Sequence, residues 1–196
     1  TKYGARIMVD EAHSVGTLGE TGRGIEEHFD MFGSIDIKMG TLSKTIPSVG
    51  GYVAGDKRLI GYMRHYSRPF IFSAALPPAQ CATAIAAFDV IEKEQWRVQH
   101  LHETQTAYAE GLRAQGWNTM DTGTCVVPVY VGDEEKTMDL TRMLFDRGVF
   151  VCPIVHPAVP KGTERLRTCL MATHTKEDLQ QVFDAFEESG KALGLI

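Results

Sequence analysis

The chain has 196 residues, enough for one or two globular domains, and 43% of them are hydrophobic, which excludes an intrinsically disordered protein. Its 20 basic and 25 acidic side chains give a formal charge of −5. The sequence therefore lacks the basic field that attracts nucleic acid or an anionic membrane, and neither is an expected partner.

The sequence shows neither a membrane span nor a secretion signal. No apolar run approaches the ~20 residues of a transmembrane helix, and the first residues lack the features of a signal peptide. The four cysteines are far apart and form no C-x-x-C pair of the kind that binds zinc or carries out redox chemistry. We therefore expect buried thiols in a reducing compartment, the cytoplasm, and no metal site.

The first predicted strand covers residues 5–9 and ends at Asp10 and Glu11, and a glycine-rich loop follows over residues 15–24. Because this strand begins at once, with no initiating methionine before it, we expect the chain to begin within a fold. Acidic residues thus follow the carboxyl end of a strand, which is the edge of an α/β sheet where ligands bind.

The second predicted strand covers residues 34–40, because polar and apolar residues alternate there, and it is followed by the loop that carries Lys44. A third short strand is expected at residues 52–55. Asp56 is then a suitable N-cap for a helix that reaches Tyr66.

The second half of the chain changes to helices and well-separated strands. Pro77 and Pro78 indicate a helix start, a second helix is expected from Trp96 to Arg113, and Gly116 ends it. The elements expected after it are strands at 125–131, 149–153 and 165–171 and helices at 135–147 and 176–193, the last beginning near Thr175. This order indicates a first domain at 1–95 and, at 96–196, a linking helix with a small α+β domain.

Three residues near strand ends together suggest pyridoxal phosphate chemistry. This cofactor requires a lysine amine, a carboxylate against the pyridine nitrogen and donors around the phosphate. Asp10, His13 and Lys44 supply the carboxylate, an imidazole and the amine at one edge of the predicted sheet.

Several ordered motifs resemble those of the α-oxoamine synthase family, and the resemblance covers nearly the whole chain. The matching segments are residues 9–19, 22–24, 40–44, 50–51, 68–78, 162–167 and 172–175. The resemblance implies an α/β protein of the fold-type I class of PLP-dependent transferases, containing part of the large-domain sheet and a C-terminal α+β domain. It also implies an acyltransferase that condenses an amino acid with an acyl-CoA to give an α-amino ketone.

The same resemblance implies a role for each matching residue at the cofactor ring. Asp10 pairs with the pyridine nitrogen, since a carboxylate favours its protonated form. His13 bonds the phenolic oxygen and helps to direct proton transfer, and Lys44 forms the Schiff base and later moves protons at the substrate's α-carbon.

Three further residues match positions that hold phosphate or substrate. Thr41 matches a cofactor-phosphate ligand, and Ser73 matches a ligand for the phosphate in the neighbouring subunit, so a homodimer is expected. Arg167 matches the arginine that holds the carboxylate of the amino acid, a task that suits a planar bidentate donor. Strand periodicity alone cannot separate Arg167 from Arg165.

The sequence also departs from the family. The stretch after Lys44 lacks the glycine that is common near Pro47. The N-terminal half, which supplies the group that stacks on the ring and a phosphate loop, is absent, so the chain is interpreted as a fragment or as one chain of a split protein. The alternatives are an aminotransferase and a non-catalytic partner half.

Overall fold

The computed structural model describes residues 2–120 and 122–196. The chain forms two compact units, Thr1–Gln99 and His100–Ile196. The boundary between them lies inside α5, the helix Trp96–Ala114. The domain boundary expected after residue 95 stays a prediction.

Within residues 2–99, the first unit contains a three-stranded sheet, four helices and the start of α5. In chain order its elements are β1 (Met8–Asp10), α1 (Ile25–His28), β2 (Ile37–Ser43), β3 (Pro47–Gly55), α2 (Lys57–Tyr66), α3 (Arg68–Phe72) and α4 (Pro78–Lys93). The strand order is β1-β2-β3, in which β1 runs parallel to β2 and β2 runs antiparallel to β3.

Local signals placed the longer helices of this unit well. Asp56 caps α2, because its side chain accepts a hydrogen bond from the backbone N–H of Arg58, and α4 begins at Pro78 as expected. The strands were placed less well, since β2 reaches Ser43 and β3 already begins at Pro47. Backbone pairing across the tight turn between β2 and β3 extends both strands beyond the residues predicted from the sequence to form them.

The two faces of this sheet have different surroundings. Gly40 and Leu42 on β2 are buried, and Leu42 packs with Ile46 and with Ala84 of α4. Successive side chains of a strand point to opposite faces, so Met39 and Thr41 lie on the other face. That second face also carries Met8 and Asp10 of β1, and both are exposed.

The second unit is the compact α+β domain that the sequence predicted. After α5 its elements are β4 (Val126–Tyr130), α6 (Glu134–Asp146), β5 (Cys152–Ile154), β6 (Arg165–Cys169) and α7 (Lys176–Ala192). β6 is the central strand of an antiparallel sheet with the order β4-β6-β5. Its core includes the fully buried Leu112, Leu140, Leu166 and Phe186.

Two expectations, one about a strand and one about the cysteines, are wrong. The strand expected at 149–153 pairs only over Cys152–Ile154, because Val149 and Val151 are core residues that precede the pairing. The cysteines are not buried: Cys81, Cys152 and Cys169 are exposed and Cys125 is partly exposed. In β6 the inward positions belong to Leu166 and Thr168, so the alternation turns Cys169 outward.

Among the described residues, no helix is long and apolar enough to cross a membrane. Within the same ranges, no group of three or more histidine, cysteine, aspartate or glutamate residues could hold a metal ion.

Candidate functional site

The first part of the candidate site is the turn that follows β1. Asp10 ends the strand with an exposed side chain, and its Oδ1 accepts a hydrogen bond of 2.8 Å from the backbone N–H of Ala12. His13 is also exposed, and its carbonyl oxygen accepts a 2.7 Å bond from the Thr17 hydroxyl. The turn therefore presents a carboxylate and an imidazole at the carboxyl end of a parallel strand.

The second part is the turn between β2 and β3, which carries Lys44. Ser43 and Pro47 pair across it, so only residues 44–46 form the turn itself. Ile46 is 2% exposed and packs in the core, whereas Lys44 is exposed. The buried isoleucine anchors the turn and leaves the lysine amine accessible at the end of β2.

Sheet register brings Asp10 and Thr41 onto the same face. Asp10 pairs with Met39, and Thr41 lies two residues further along β2. The Thr41 hydroxyl is within 2.8 Å of the Ser43 hydroxyl and donates to the carbonyl oxygen of Gly50 at 3.3 Å. A carboxylate, two hydroxyls and, just past the strand, an amine therefore occupy this face and its edge.

Three glycines on β2 and β3 allow the backbone to pack closely beside this site. A Cβ on Gly40 would lie 2.4 Å from the ring of Tyr52, and a Cβ on Gly51 would lie 2.8 Å from the Gly40 carbonyl oxygen. Gly50 has φ +101, and a Cβ there would lie 2.6 Å from Leu76. Side chains at these positions would move the strand that carries Thr41.

The opposite face of the sheet forms a separate pocket of about 480 Å³. Its lining includes Glu11, Arg23, Lys38, Tyr52 and Phe88. Burial, helped by the negative charge of Glu11, raises the pKa of Tyr52. Asp10 and Thr41 do not line this pocket, because they are on the other face of the sheet.

Ser73 lies outside the sheet. It is the exposed C-cap residue of the short helix α3. Its expected role at the phosphate of a neighbouring subunit stays a prediction.

Arg167 lies in the second unit, at the centre of its sheet. It pairs with Pro128 of β4 on one side and with Cys152 of β5 on the other. It lines a pocket of about 520 Å³ together with Cys152, Cys169 and His174. Arg165 is not among the described residues that line this pocket. Its Nε donates instead to the carbonyl oxygen of Thr163 at 2.8 Å.

Sequence reasoning assigned no role to Glu11, which is 3% exposed beneath the Asp10–His13 turn. The helix α1 was also missed, since it has four residues and follows a glycine-rich loop. The sequence did contain a signal for Glu11. It follows Asp10, and because neighbouring residues of a strand face opposite sides, an outward Asp10 implies an inward Glu11. A buried carboxylate requires hydrogen-bond donors around it.

The geometry can be compared with known proteins. The model of the family "aminotransferase class I and II" matches residues 1–186. The chain is 46% identical over 195 residues to 8-amino-7-oxononanoate synthase of Thermoanaerobacter pseudethanolicus, covering 100% of this chain and 49% of the relative. It is 40% identical over 190 residues to serine palmitoyltransferase of Bacteriovorax stolpii, covering 97% of this chain and 45% of that relative.

Solved structures agree. Serine palmitoyltransferase from S. paucimobilis, in a complex with a PLP–myriocin aldimine, superposes with a TM-score of 0.94 at 35% identity, covering 100% of this chain and 50% of that one. The resemblance to α-oxoamine synthases and the expected fold class are therefore confirmed. The chain spans about half the length of the curated relatives it matches. It belongs to the aminotransferase class I and II family.

Proposed function

We propose that this chain is the lysine-bearing part of a PLP-dependent acyltransferase that condenses an amino acid with an acyl-CoA to give an α-amino ketone. The observation that carries the proposal is the shared face of Asp10 and Thr41, with Lys44 exposed just past the end of β2. The names of similar proteins support it, since they are 8-amino-7-oxononanoate synthase and serine palmitoyltransferase.

The residues present fit pyridoxal phosphate. The carboxylate of Asp10 would lie against the pyridine nitrogen, the Thr41 hydroxyl would bond the phosphate, and Lys44 would hold the cofactor covalently. His13 follows Asp10 on the same turn and would bond the phenolic oxygen. When bound, the cofactor supplies an electron sink for charge that develops at the substrate's α-carbon.

The protein's own contribution is charge, position and proton movement. Asp10 would place a carboxylate beside the ring nitrogen, and the exposed amine of Lys44 would take a proton from a substrate and return it. Arg167 is proposed to hold the carboxylate of the amino acid, because a guanidinium in a pocket can bind a carboxylate through two hydrogen bonds.

We further propose that the complete catalytic unit contains a segment equivalent to the other half of the relatives and that it is a homodimer. The chain covers only 49% of the 8-amino-7-oxononanoate synthase it resembles. Support also comes from the sheet, where Met8 and Asp10 of β1 are exposed on one face.

The first experiment locates the cofactor. The chain, alone and co-expressed with the N-terminal half of a relative, is mixed with pyridoxal phosphate, reduced with borohydride and digested for mass spectrometry. We expect an adduct at Lys44 that Lys44→Ala abolishes and that Lys57→Ala, a change of an exposed lysine on α2, leaves intact. An adduct elsewhere, or none even with the second half present, would refute the assignment.

The second experiment separates acyl transfer from the alternatives. Acyl transfer releases CoA thiol only when amino acid and acyl-CoA are both present, whereas an aminotransferase forms a 2-oxo acid without CoA. The four cysteines of the chain can react with thiol reagents and give a background, so a reaction without acyl-CoA is the reference. A Lys44 adduct without either turnover would favour the non-catalytic partner half.

A further inference from the structure

We propose that Glu11 is a positioning residue, which holds the Asp10–His13 turn in the geometry that the cofactor requires. The inference rests on the function proposed above. Glu11 lies between the two exposed residues of the turn and is itself 3% exposed. It does not face the Asp10 side of the sheet, so it would act through its neighbours.

The backbone of Glu11 is bonded on both sides. Its N–H donates to the carbonyl oxygen of Met39 at 2.7 Å, which continues the ladder between β1 and β2 by one residue. Its carbonyl oxygen accepts bonds from the N–H groups of Ser14 at 3.1 Å and Val15 at 3.2 Å. These bonds close the turn around Ala12 and His13.

The side chain of Glu11 ties the turn to the start of α1. Its Oε2 accepts a hydrogen bond from the hydroxyl of Ser14, which is 4% exposed, and a 3.1 Å bond from the backbone N–H of Ile25. A buried carboxylate is costly unless donors compensate it, so the turn and the helix start are held to the same oxygen.

Gly24 provides the space that this arrangement needs. It has φ +90, and a Cβ at this position would lie 2.4 Å from Glu11 Oε2. The glycine thus lets the chain approach the carboxylate closely enough for the next residue, Ile25, to donate its N–H.

The consequence concerns Asp10 and His13, whose side chains are exposed. A carboxylate at the ring nitrogen and an imidazole at the phenolic oxygen are effective only in a fixed geometry, since small displacements weaken charge-assisted bonds. Loss of the Glu11 anchor should therefore change the cofactor's protonation behaviour before it changes substrate affinity.

The test compares Glu11→Gln with the unchanged sequence in the PLP-loaded protein, with the second half present. Glutamine has the same size but lacks the charge and one acceptor. We expect the pH midpoint of the cofactor's visible absorbance to move by about one unit and kcat to fall about 10–100-fold, with the KM for the amino acid within about twofold.

Glu27→Gln is the matched control. Glu27 also holds the glycine-rich loop, accepting bonds from the backbone N–H groups of Thr21 at 3.1 Å and Arg23 at 3.0 Å, but it does not bond the Asp10–Ser14 turn. We expect it to lower the unfolding temperature without moving the absorbance midpoint.

The inference would be overturned if Glu11→Gln left the absorbance midpoint and kcat unchanged. It would also be overturned if Glu27→Gln changed them as much as Glu11→Gln. If Glu11→Gln does not fold, Ser14→Ala tests the same anchor by removing a single donor, and it should also move the absorbance midpoint. No movement in Ser14→Ala would again overturn the inference. Failure of the unchanged sequence to form a Lys44 adduct would instead refute the proposed function.

Discussion

Arg165 and Arg167 differ in their surroundings although they lie on the same face of β6. Arg167 lines the 520 Å³ pocket, whereas the Arg165 side chain donates a hydrogen bond to the carbonyl oxygen of Thr163. We therefore expect Arg167→Gln to raise the KM for the amino acid about 10–100-fold, the cost of one or two charge-assisted bonds, with the KM for acyl-CoA little changed. Arg165→Gln is the control in steady-state assays, and an equal effect from both variants would contradict the assignment.

Glu26 is a buried carboxylate whose charge stabilises the fold. The hydrogen bond from Lys38, followed by that from the Ile35 N–H, lowers the pKa of Glu26, although burial opposes this. Because the folded pKa is depressed, the stabilisation is fully present above the usual range of glutamate and is lost as pH falls through the folded value.

Glu26→Gln should accordingly lower the free energy of unfolding by about 1–3 kcal/mol at pH 7. The difference from the unchanged protein should shrink below about pH 4. Urea unfolding at several pH values measures it, with Glu20→Gln, an exposed glutamate, as the control. A difference that is constant with pH would show that the charge of Glu26 is not the cause.

Helix ends were predicted well where a single residue supplies the signal. Asp56 and Thr175 each accept a hydrogen bond at a helix start, and Thr175 forms a reciprocal capping box with Asp178. α3 was missed because its five residues, Arg68–Phe72, are too few for a period. Strand ends were less predictable, since they depend on partners far away in sequence, as in the pairing of Ser43 with Pro47.

The capping box of α7 provides a prediction for this element. Thr175→Ala removes the acceptor for the Asp178 N–H and should cost about 1 kcal/mol of stability. Thr173→Ala, an exposed threonine before the helix, should have almost no effect. Thermal unfolding of both variants tests this, and equal midpoints would contradict it.

The sequence allowed the candidate site to be proposed residue by residue but not as an assembly. Motifs marked Asp10, His13, Thr41 and Lys44, and sheet register then put Asp10 and Thr41 on one face. The two-residue strand period left Arg165 and Arg167 equivalent, and their different surroundings, the pocket at Arg167 and the Thr163 carbonyl at Arg165, come only from the structure. Glu11 was not assigned a role because the bonds that matter come from Met39 and Ile25, which the sequence does not place beside it.

The two units differ in how much core they contain. Among the described residues the core cluster of the second unit has fifteen buried members, including Leu112 and Phe186, whereas the main cluster of the first unit has Leu42, Ile46 and Ala84. Buried apolar area is the main source of stability, so the second unit should be the more stable one.

We therefore expect a fragment of residues 96–196, which keeps α5 whole, to fold cooperatively by itself. A fragment of residues 1–95 should show little amide protection in hydrogen exchange. Equal protection in both fragments would mean that the first unit is stabilised by more than its small core.

The ladder between β1 and β2 also determines where the sequence can change length. Strand pairing holds Asp10 beside Met39 on β2. It thereby fixes the position of Asp10 relative to Lys44, the 34th residue after it, which lies just past the end of β2. Insertions in the exposed loop at residues 29–33 would lengthen the connection between β1 and β2 without moving either strand. A single deletion inside β2 would instead exchange its two faces and turn Thr41 toward α4, so natural variation in length should accumulate in the loop and be absent from the strand.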